Sequence, residues 1–410
     1  MPKPPVRVVI YAPPTVRYYE QEDEAFGPFL DDVLLNEKRQ PIQGDITQRL
    51  NYLISLIKRA NGELGMDGPE VLKLFIAPEW FFRRKGDPYS LNKEVKPMLQ
   101  SLLQQSKTPA LKSWLILPGS IVWGKKTGEK WTIYNLAPAV HNGQLLSLVH
   151  KSDEGMDIPR GQKNRYSWGI YDMATNLPPT AEREKEAIKI SKEVFTLLGR
   201  KPKSLLKNCQ GFFNCQGIDF ALNICADQQG RLKYNVTEEV EKACKKRLGL
   251  ELSNIKKEQG EIVKEKDVLL NEGLKNSIID LFDEKFADVQ LLVSCGATFD
   301  ANSTVAKRGG YLIQSDGKGE PESDLQKKML GASVRQIPGL KLSYKNIAKG
   351  GQFIEIPNVN SSNVDSIQPK RVFPDGSTDP FTRIFIFDEL LDLNPAPVAA
   401  TLQSTFTNVQ

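Results

Sequence analysis

Cys225 closes the apolar run Phe220-Ala221-Leu222-Asn223-Ile224 and is followed at once by Ala226-Asp227. A thiol at a strand end, just ahead of a turn, is presented where a nucleophile is needed, although free cysteine also packs as a small hydrophobe. Two further runs end in ionisable groups. Leu72-Lys73-Leu74-Phe75-Ile76-Ala77-Pro78 delivers Glu79, and Leu145-Leu146-Ser147-Leu148-Val149-His150 delivers Lys151. Three candidate strand ends therefore offer a carboxylate, an ammonium and a thiol. A nearby ammonium lowers a thiol pKa. A carboxylate within reach takes the thiol proton and later gives it to a leaving amine. The ammonium also steadies the oxyanion formed when sulfur attacks a carbonyl. Together these groups suffice for acyl transfer from nitrogen to sulfur and then to water. No histidine is required, and the chain has only His141 and His150.

The elements that must position this trio alternate between strand and helix. Val6–Tyr11 reads as a first strand. Asp45 is placed to cap a helix with Ile46, Leu50, Leu53, Ile54 and Ile57 on one face, ended by Gly62. Ser90 is placed to cap a second helix, with Val95, Met98, Leu99 and Leu102 as its apolar side. Trp114–Trp123 contains Pro118-Gly119 and is expected to bend. Ile133–Val140 and Leu145–His150 form an expected hairpin around Asn142-Gly143, a strong turn signal. Val289–Val293, Tyr311–Ile313, Phe353–Ile356 and Ile384–Phe387 are later strand candidates. Such alternation argues for an α/β class.

These residues resemble the carbon–nitrogen hydrolase (nitrilase) superfamily. Ala77-Pro78-Glu79 is similar to its strand-end Pro-Glu motif, Val149-His150-Lys151 to its strand-Lys motif, and Asn223-Ile224-Cys225-Ala226-Asp227 to its Ile-Cys-aromatic-Asp motif. Tyr134-Asn135-Leu136-Ala137, followed by Asn142-Gly143, resembles its Asn-bearing strand and Gly turn. The order Glu, Lys, Cys also matches, over residues 5–160, 215–230 and 286–315. Ala226 stands where the family usually has an aromatic, and Gln228-Gln229-Gly230 where it has an Arg-aromatic pair. The resemblance implies an α/β fold, a four-layer α-β-β-α sandwich of the nitrilase type with two helical insertions. It implies Glu79, Lys151 and Cys225 as catalytic residues, the Ala226 backbone N–H as an oxyanion donor, and no metal or organic cofactor. A second acid between Lys and Cys is also implied. Glu154 is favoured, with Asp157 the nearest other candidate, and both could equally be solvated turn residues. The expected substrate is a small amide-like molecule, amide or carbamoyl rather than nitrile, and the expected assembly is a homo-oligomer. Acyl transfer to another acceptor and a non-catalytic, ligand-binding relative are the competing readings.

The chain reads as one domain over residues 1–392, with helical insertions at about 180–207 and 236–287 and a polar tail at 393–410. Half of positions 236–267 are charged (16 of 32), the mark of a mostly solvated helix. A formal charge of +5 over 410 residues is too small to suggest a nucleic-acid partner. Five cysteines make no disulfide framework, and Cys209 and Cys215 lack the paired spacing of a zinc site. No run approaches the roughly 20 apolar residues of a membrane span. Met1-Pro2-Lys3-Pro4-Pro5 lacks the apolar core of a signal peptide, so a cytoplasmic protein is expected. Trp80 and Phe82, which follow Glu79, are candidates to line an acyl pocket, though aromatics beside a strand end are also common core residues. Arg83-Arg84-Lys85 is read as a solvated turn.

Overall fold

A computed structural model of the chain describes residues 2–13, 15, 45–65, 67–84, 87–153, 157–158, 165–170, 180–200, 205–229, 231–248, 277, 279–297, 303–317, 332–337, 340–341, 358–359, 366–367, 371–374 and 383–393. The first half runs β1 (Val6–Tyr11), α1 (Asp45–Leu64), β2 (Leu72–Ile76), β3 (Tyr89–Ser90), a π-helical turn (Leu91–Val95), α2 (Lys96–Gln105), β4 (Trp114–Leu117), β5 (Ile121–Thr127), β6 (Lys130–His141), β7 (Gln144–His150) and β8 (Tyr166–Trp168). Then follow α3 (Thr180–Leu197), α4 (Leu205–Gln210), β9 (Phe212–Cys215), β10 (Ile218–Ile224), a 3₁₀ turn (Cys225–Gln229), α5 (Arg231–Leu248), β11 (Ala287–Ser294) and β12 (Ala306–Asp316). Short strands β13 (Ala332–Gln336), β14 (Leu340–Lys341), β15 (Asn358–Val359), β16 (Ser366–Ile367) and β17 (Arg371–Pro374) precede β18 (Arg383–Leu391).

The protein is mixed α/β with two principal sheets. The first has the order β17-β18-β1-β2-β4-β6-β5-β3, with β7 and β8 also paired to β6; the second is β16-β13-β12-β11-β10-β9. Each is parallel at its centre: β1, β2 and β4 in one, β10, β11 and β12 in the other. Parallel strands need cover on both faces, and side-chain alternation supplies two apolar sides. Val6, Val8 and Ile10 of β1, with Leu72, Leu74 and Ile76 of β2, join Phe220, Leu222, Ile224, Val289, Leu291 and Val293 of the second sheet in one cluster. Val9, Tyr11 and Phe75 point the other way and pack with Leu50, Leu53, Ile57, Met98, Leu99 and Leu102 of α1 and α2. Ala221 and Leu312, on the far face of the second sheet, pack with Leu232, Val236, Val240 and Cys244 of α5. Burying one such aliphatic side chain contributes roughly 1.5–3 kcal/mol.

Local signals account for several boundaries. Asn142 and Gly143 have φ of 44° and 74°, and His141 pairs with Gln144 across them. This is the left-handed pair that a two-residue hairpin turn requires. The Ser90 side chain accepts the Lys93 amide and caps the helix that follows. Helix α1 departs from expectation. It continues through Gly62 to Leu64 and stops before Gly65, whose φ is 69°. Gly65 supplies the left-handed residue that ends a helix, whereas a glycine inside a helix only weakens it. The expected insertion at 180–207 contains α3 and the start of α4. Helix α5 begins at Arg231, before the second expected insertion, and residues 249–276 lie outside the described residues, as do Phe353–Ile356 and 394–410. Among the described residues no helix is long and apolar enough to cross a membrane.

Candidate functional site

Glu79 sits in the turn after β2. Its amide donates to the Ser294 carbonyl at the end of β11 (3.4 Å), which ties it to the second sheet. The next residue, Trp80, has φ of 62°, and its amide donates to Ser120 Oγ (2.9 Å). A left-handed backbone at a bulky residue costs about 1–3 kcal/mol and must be held by its surroundings. Gly119, with φ of 86°, makes room for this turn: a Cβ there would lie 2.3 Å from the Pro78 carbonyl oxygen. Buried Arg49 of α1 also donates to the Phe81 carbonyl (3.1 Å).

Lys151 follows β7, and its amide donates to the Asn135 carbonyl of β6 (2.8 Å). The preceding His150 is buried. The Trp123 indole N–H donates to its Nε2 (3.0 Å), so Nδ1 carries the proton and faces Ser191 Oγ of α3 (2.9 Å). The expected insertion is thereby fastened to the strand that delivers the lysine.

The polar centre is compact. Lys151 Nζ donates to Glu79 Oε1 (2.8 Å) and to Asp157 Oδ2 (2.7 Å). Asn135 Nδ2 donates to Glu79 Oε1 (3.0 Å) and Asp157 Oδ1 (2.8 Å). The Trp80 indole N–H donates to Asp157 Oδ1 (2.7 Å). Glu79, Asn135, Lys151 and Asp157 are all buried. Glu79 Oε2 is buried too and accepts no hydrogen bond among the described residues, while the Cys225 thiol interacts with the same carboxyl group.

Cys225 follows β10 at the first position of the 3₁₀ turn, half-buried and with φ of 41°. Its Sγ lies 3.8 Å from the Cys295 carbonyl oxygen. Asp227 secures the turn. Its carboxylate accepts the Ser152 amide (2.9 Å), the Ser152 hydroxyl (2.7 Å) and the Asp153 amide (3.0 Å), the residues directly after Lys151. Asn223 donates to the Asp227 carbonyl (3.3 Å) and accepts from Gln290 (3.2 Å). The turn is thus held by its own aspartate. No single-residue spacing signalled this clamp.

The electrostatics follow from burial. Desolvation raises Glu79 to about 7, with Lys151 pulling it down and Asp157 pushing it up. Burial works against a charged Lys151, but Asp157, Glu79 and Cys225 together hold its pKa well above the usual lysine value. Burial first, then the Glu79 charge, pushes the Cys225 thiol well up, against the pull of Lys151. The resting site holds a neutral thiol, a charged ammonium and a carboxyl group that ionises near neutrality.

The structure therefore brings Glu79, Lys151 and Cys225 together. Glu154 lies outside the described residues, and it is Asp157 that meets Lys151. Trp80 belongs to the polar centre, whereas Phe82 is buried in the helix-side core, edge-on to Phe81 at 4.9 Å. Ala226 is half-buried in the turn. Arg83 is buried rather than solvated, 4.8 Å from the Trp80 ring centre, and donates to the Asp157 carbonyl (3.2 Å). Among the described residues no three His, Cys, Asp or Glu side chains are grouped to hold a metal ion.

No protein-family model matches the chain, and no curated protein matches it. Solved structures that align with it include glutamine-dependent NAD+ synthetase from Acinetobacter baumannii in complex with adenosine diphosphate, at TM-score 0.32 and 11% identity over 80% of this chain and 41% of that one. Another is a glutamine-dependent NAD(+) synthetase from Cytophaga hutchinsonii, at TM-score 0.30 and 8% identity over 76% of this chain and 36% of that one. The chain spans less than half the length of either. Likenesses this slight decide neither fold nor chemistry, and the case for an activity rests on the geometry of the site itself.

Proposed function

We propose that the protein is a cysteine-dependent hydrolase of non-peptide carbon–nitrogen bonds, built as a single nitrilase-type α-β-β-α sandwich over residues 1–392. The observation that carries this reading is the buried ammonium of Lys151, hydrogen-bonded to Glu79 and Asp157, beside a thiol on a strained turn. Cys225 Sγ attacks the substrate carbonyl while its proton passes to Glu79. A carboxyl group titrating near 7 is well matched to accept and return a proton at neutral pH. Two of the three N–H bonds of Lys151 are engaged by carboxylates; the third, with the Ala226 amide, serves the oxyanion. Collapse expels ammonia or an amine that takes the Glu79 proton and leaves a thioester on Cys225. Glu79 then draws a proton from water, which attacks the thioester and returns the free thiol. Asp157 fills the place of the second acid. Amides and carbamoyl compounds are preferred over nitriles by analogy with the superfamily that the motifs resemble.

The test is ammonia release across a panel of amides, carbamoyl compounds and nitriles, with intact-mass detection of an acyl adduct. An adduct on the wild type that is absent from Cys225→Ala is expected. Turnover of any panel member by Cys225→Ala at near wild-type rate overturns the proposal.

A further inference from the structure

Trp80 combines a left-handed backbone with a buried, donor-bearing ring. Packing explains the ring but not the donor, because phenylalanine or leucine would fill a core position without one. The indole N–H is spent on a single acceptor, Asp157 Oδ1 (2.7 Å). That carboxylate is held from three directions: Trp80 after β2, Asn135 on β6 (2.8 Å) and Lys151 after β7 (2.7 Å). The Arg83 guanidinium donates to the Asp157 main-chain carbonyl instead and faces the Trp80 ring, as Lys151 Nζ does at 5.6 Å.

An indole donates and never accepts, so it favours the ionised carboxylate at the oxygen it touches. It also carries no charge. It can fix Asp157 without neutralising it, which a lysine or arginine in that place could not do. Asp157 then remains the anion that keeps Lys151 charged and the like charge that acts on Glu79. The groups acting on Glu79 are Lys151, Asp157 and the Cys225 thiol, with the Asn135 amide bonded to it.

We propose that Trp80 is a positioning residue: its indole N–H holds the Asp157 carboxylate against Lys151 and, through that pair, sets the proton affinity of Glu79. The inference rests on the reading of Glu79 as the base toward Cys225. Without the indole donor, the Asp157 carboxylate is free to turn from Lys151. That leaves less negative charge acting on Glu79 and more of the Lys151 charge, and both lower its pKa.

The test needs no substrate. The rate at which iodoacetamide alkylates Cys225 in the full chain is followed by peptide mass from about pH 5 to 9. Wild type, Trp80→Phe, Asp157→Asn, their double variant and Glu79→Gln are compared. Asp157→Asn is expected to move the acid limb of the profile to lower pH. Trp80→Phe should move it the same way by at least about 0.5 pH unit, and the double variant no further than Asp157→Asn alone. Benzothienylalanine at position 80 keeps the ring shape and replaces the N–H by sulfur. It should reproduce the Trp80→Phe shift and serves if that variant does not fold. An unmoved limb with benzothienylalanine, or a double-variant shift equal to the sum of the singles, overturns the inference while leaving Glu79 as the base. A Glu79→Gln profile that keeps the limb overturns the reading of Glu79 and the inference with it.

Discussion

The two sheets supply the site with very different material. From the first come Glu79, Asn135 and Lys151, joined by Asp157 beyond β7, all buried and linked by hydrogen bonds of 2.7–3.0 Å. From the second comes Cys225, half-buried, on a strained backbone, with its sulfur 3.8 Å from a carbonyl oxygen. The first half fixes charges, and the second offers an atom to be used. A buried ion cluster is hard to disturb without cost to the fold, whereas a partly buried thiol tolerates change better. Damage to one half should therefore register as lost stability, and damage to the other as lost chemistry.

Cys225→Ala is the sharpest probe of that contrast. Turnover and acyl-adduct formation should fall by roughly 10⁴-fold or more. Stability from urea unfolding should change by less than about 1 kcal/mol. Lys151→Met attacks the other half. It leaves two buried carboxyl groups facing each other without their cation, an expected loss of about 3–5 kcal/mol at neutral pH. Part of that loss should return on acidification, as one carboxyl group takes a proton. If the two variants destabilise alike in parallel denaturation curves, the contrast fails.

Glu79 gives the comparison a pH signature. Its folded pKa of about 7 lies above the ordinary carboxyl value of 4.5, so the native state holds a proton that the unfolded state releases. Its contribution is fully present below about pH 4.5 and is lost as pH rises through 7. Wild type should lose stability relative to Glu79→Gln across that window. A flat difference between their unfolding free energies would remove Glu79 as a raised, buried acid. Asp157→Asn should lower turnover by more than about threefold, equivalent to roughly 0.65 kcal/mol of transition-state stabilisation. A smaller drop in steady-state assays would leave the chemistry independent of a second acid. The smallest effect belongs to the rim of the site, where Arg183 of α3 pairs with Asp153. Both side chains are partly exposed, so Arg183→Ala should cost no more than about 1 kcal/mol in thermal unfolding, with turnover nearly intact.

The parts of this arrangement legible in the sequence are those governed by short-range rules. Short apolar runs gave β1 and β2. The Asn142-Gly143 pair gave the β6–β7 turn. The residue types at three strand ends gave Glu79, Lys151 and Cys225, which the structure places together. The contact of Asp157 with Lys151 was not legible, because no short-range rule brings a residue six positions past a strand end back to it. Likewise the Trp80 indole reaches Asp157 only because its backbone is left-handed, a state that favours glycine and that nothing in Glu79-Trp80-Phe81 announces. Asp227 was visible as a motif residue, but its bonds to Ser152 and Asp153 join positions about 75 apart and belong to tertiary structure alone.

Those long separations bear on when the polar centre is assembled during synthesis. Glu79 and Lys151 are 72 residues apart, Ser152 and Asp227 are 75 apart, and the Glu79 amide bonds to the carbonyl of Ser294. Contacts so distant along the chain close late, after the entropy of closing their loops has been met. A nascent chain that has emerged only through β10 already carries Cys225, but with no β11 for β10 to pair with or for the Glu79 turn to lean on. Its thiol is then an ordinary cysteine of pKa about 8.5, without a base or an oxyanion donor beside it. On the function proposed above, the groups that act on Cys225 come together only after translation has passed the second sheet.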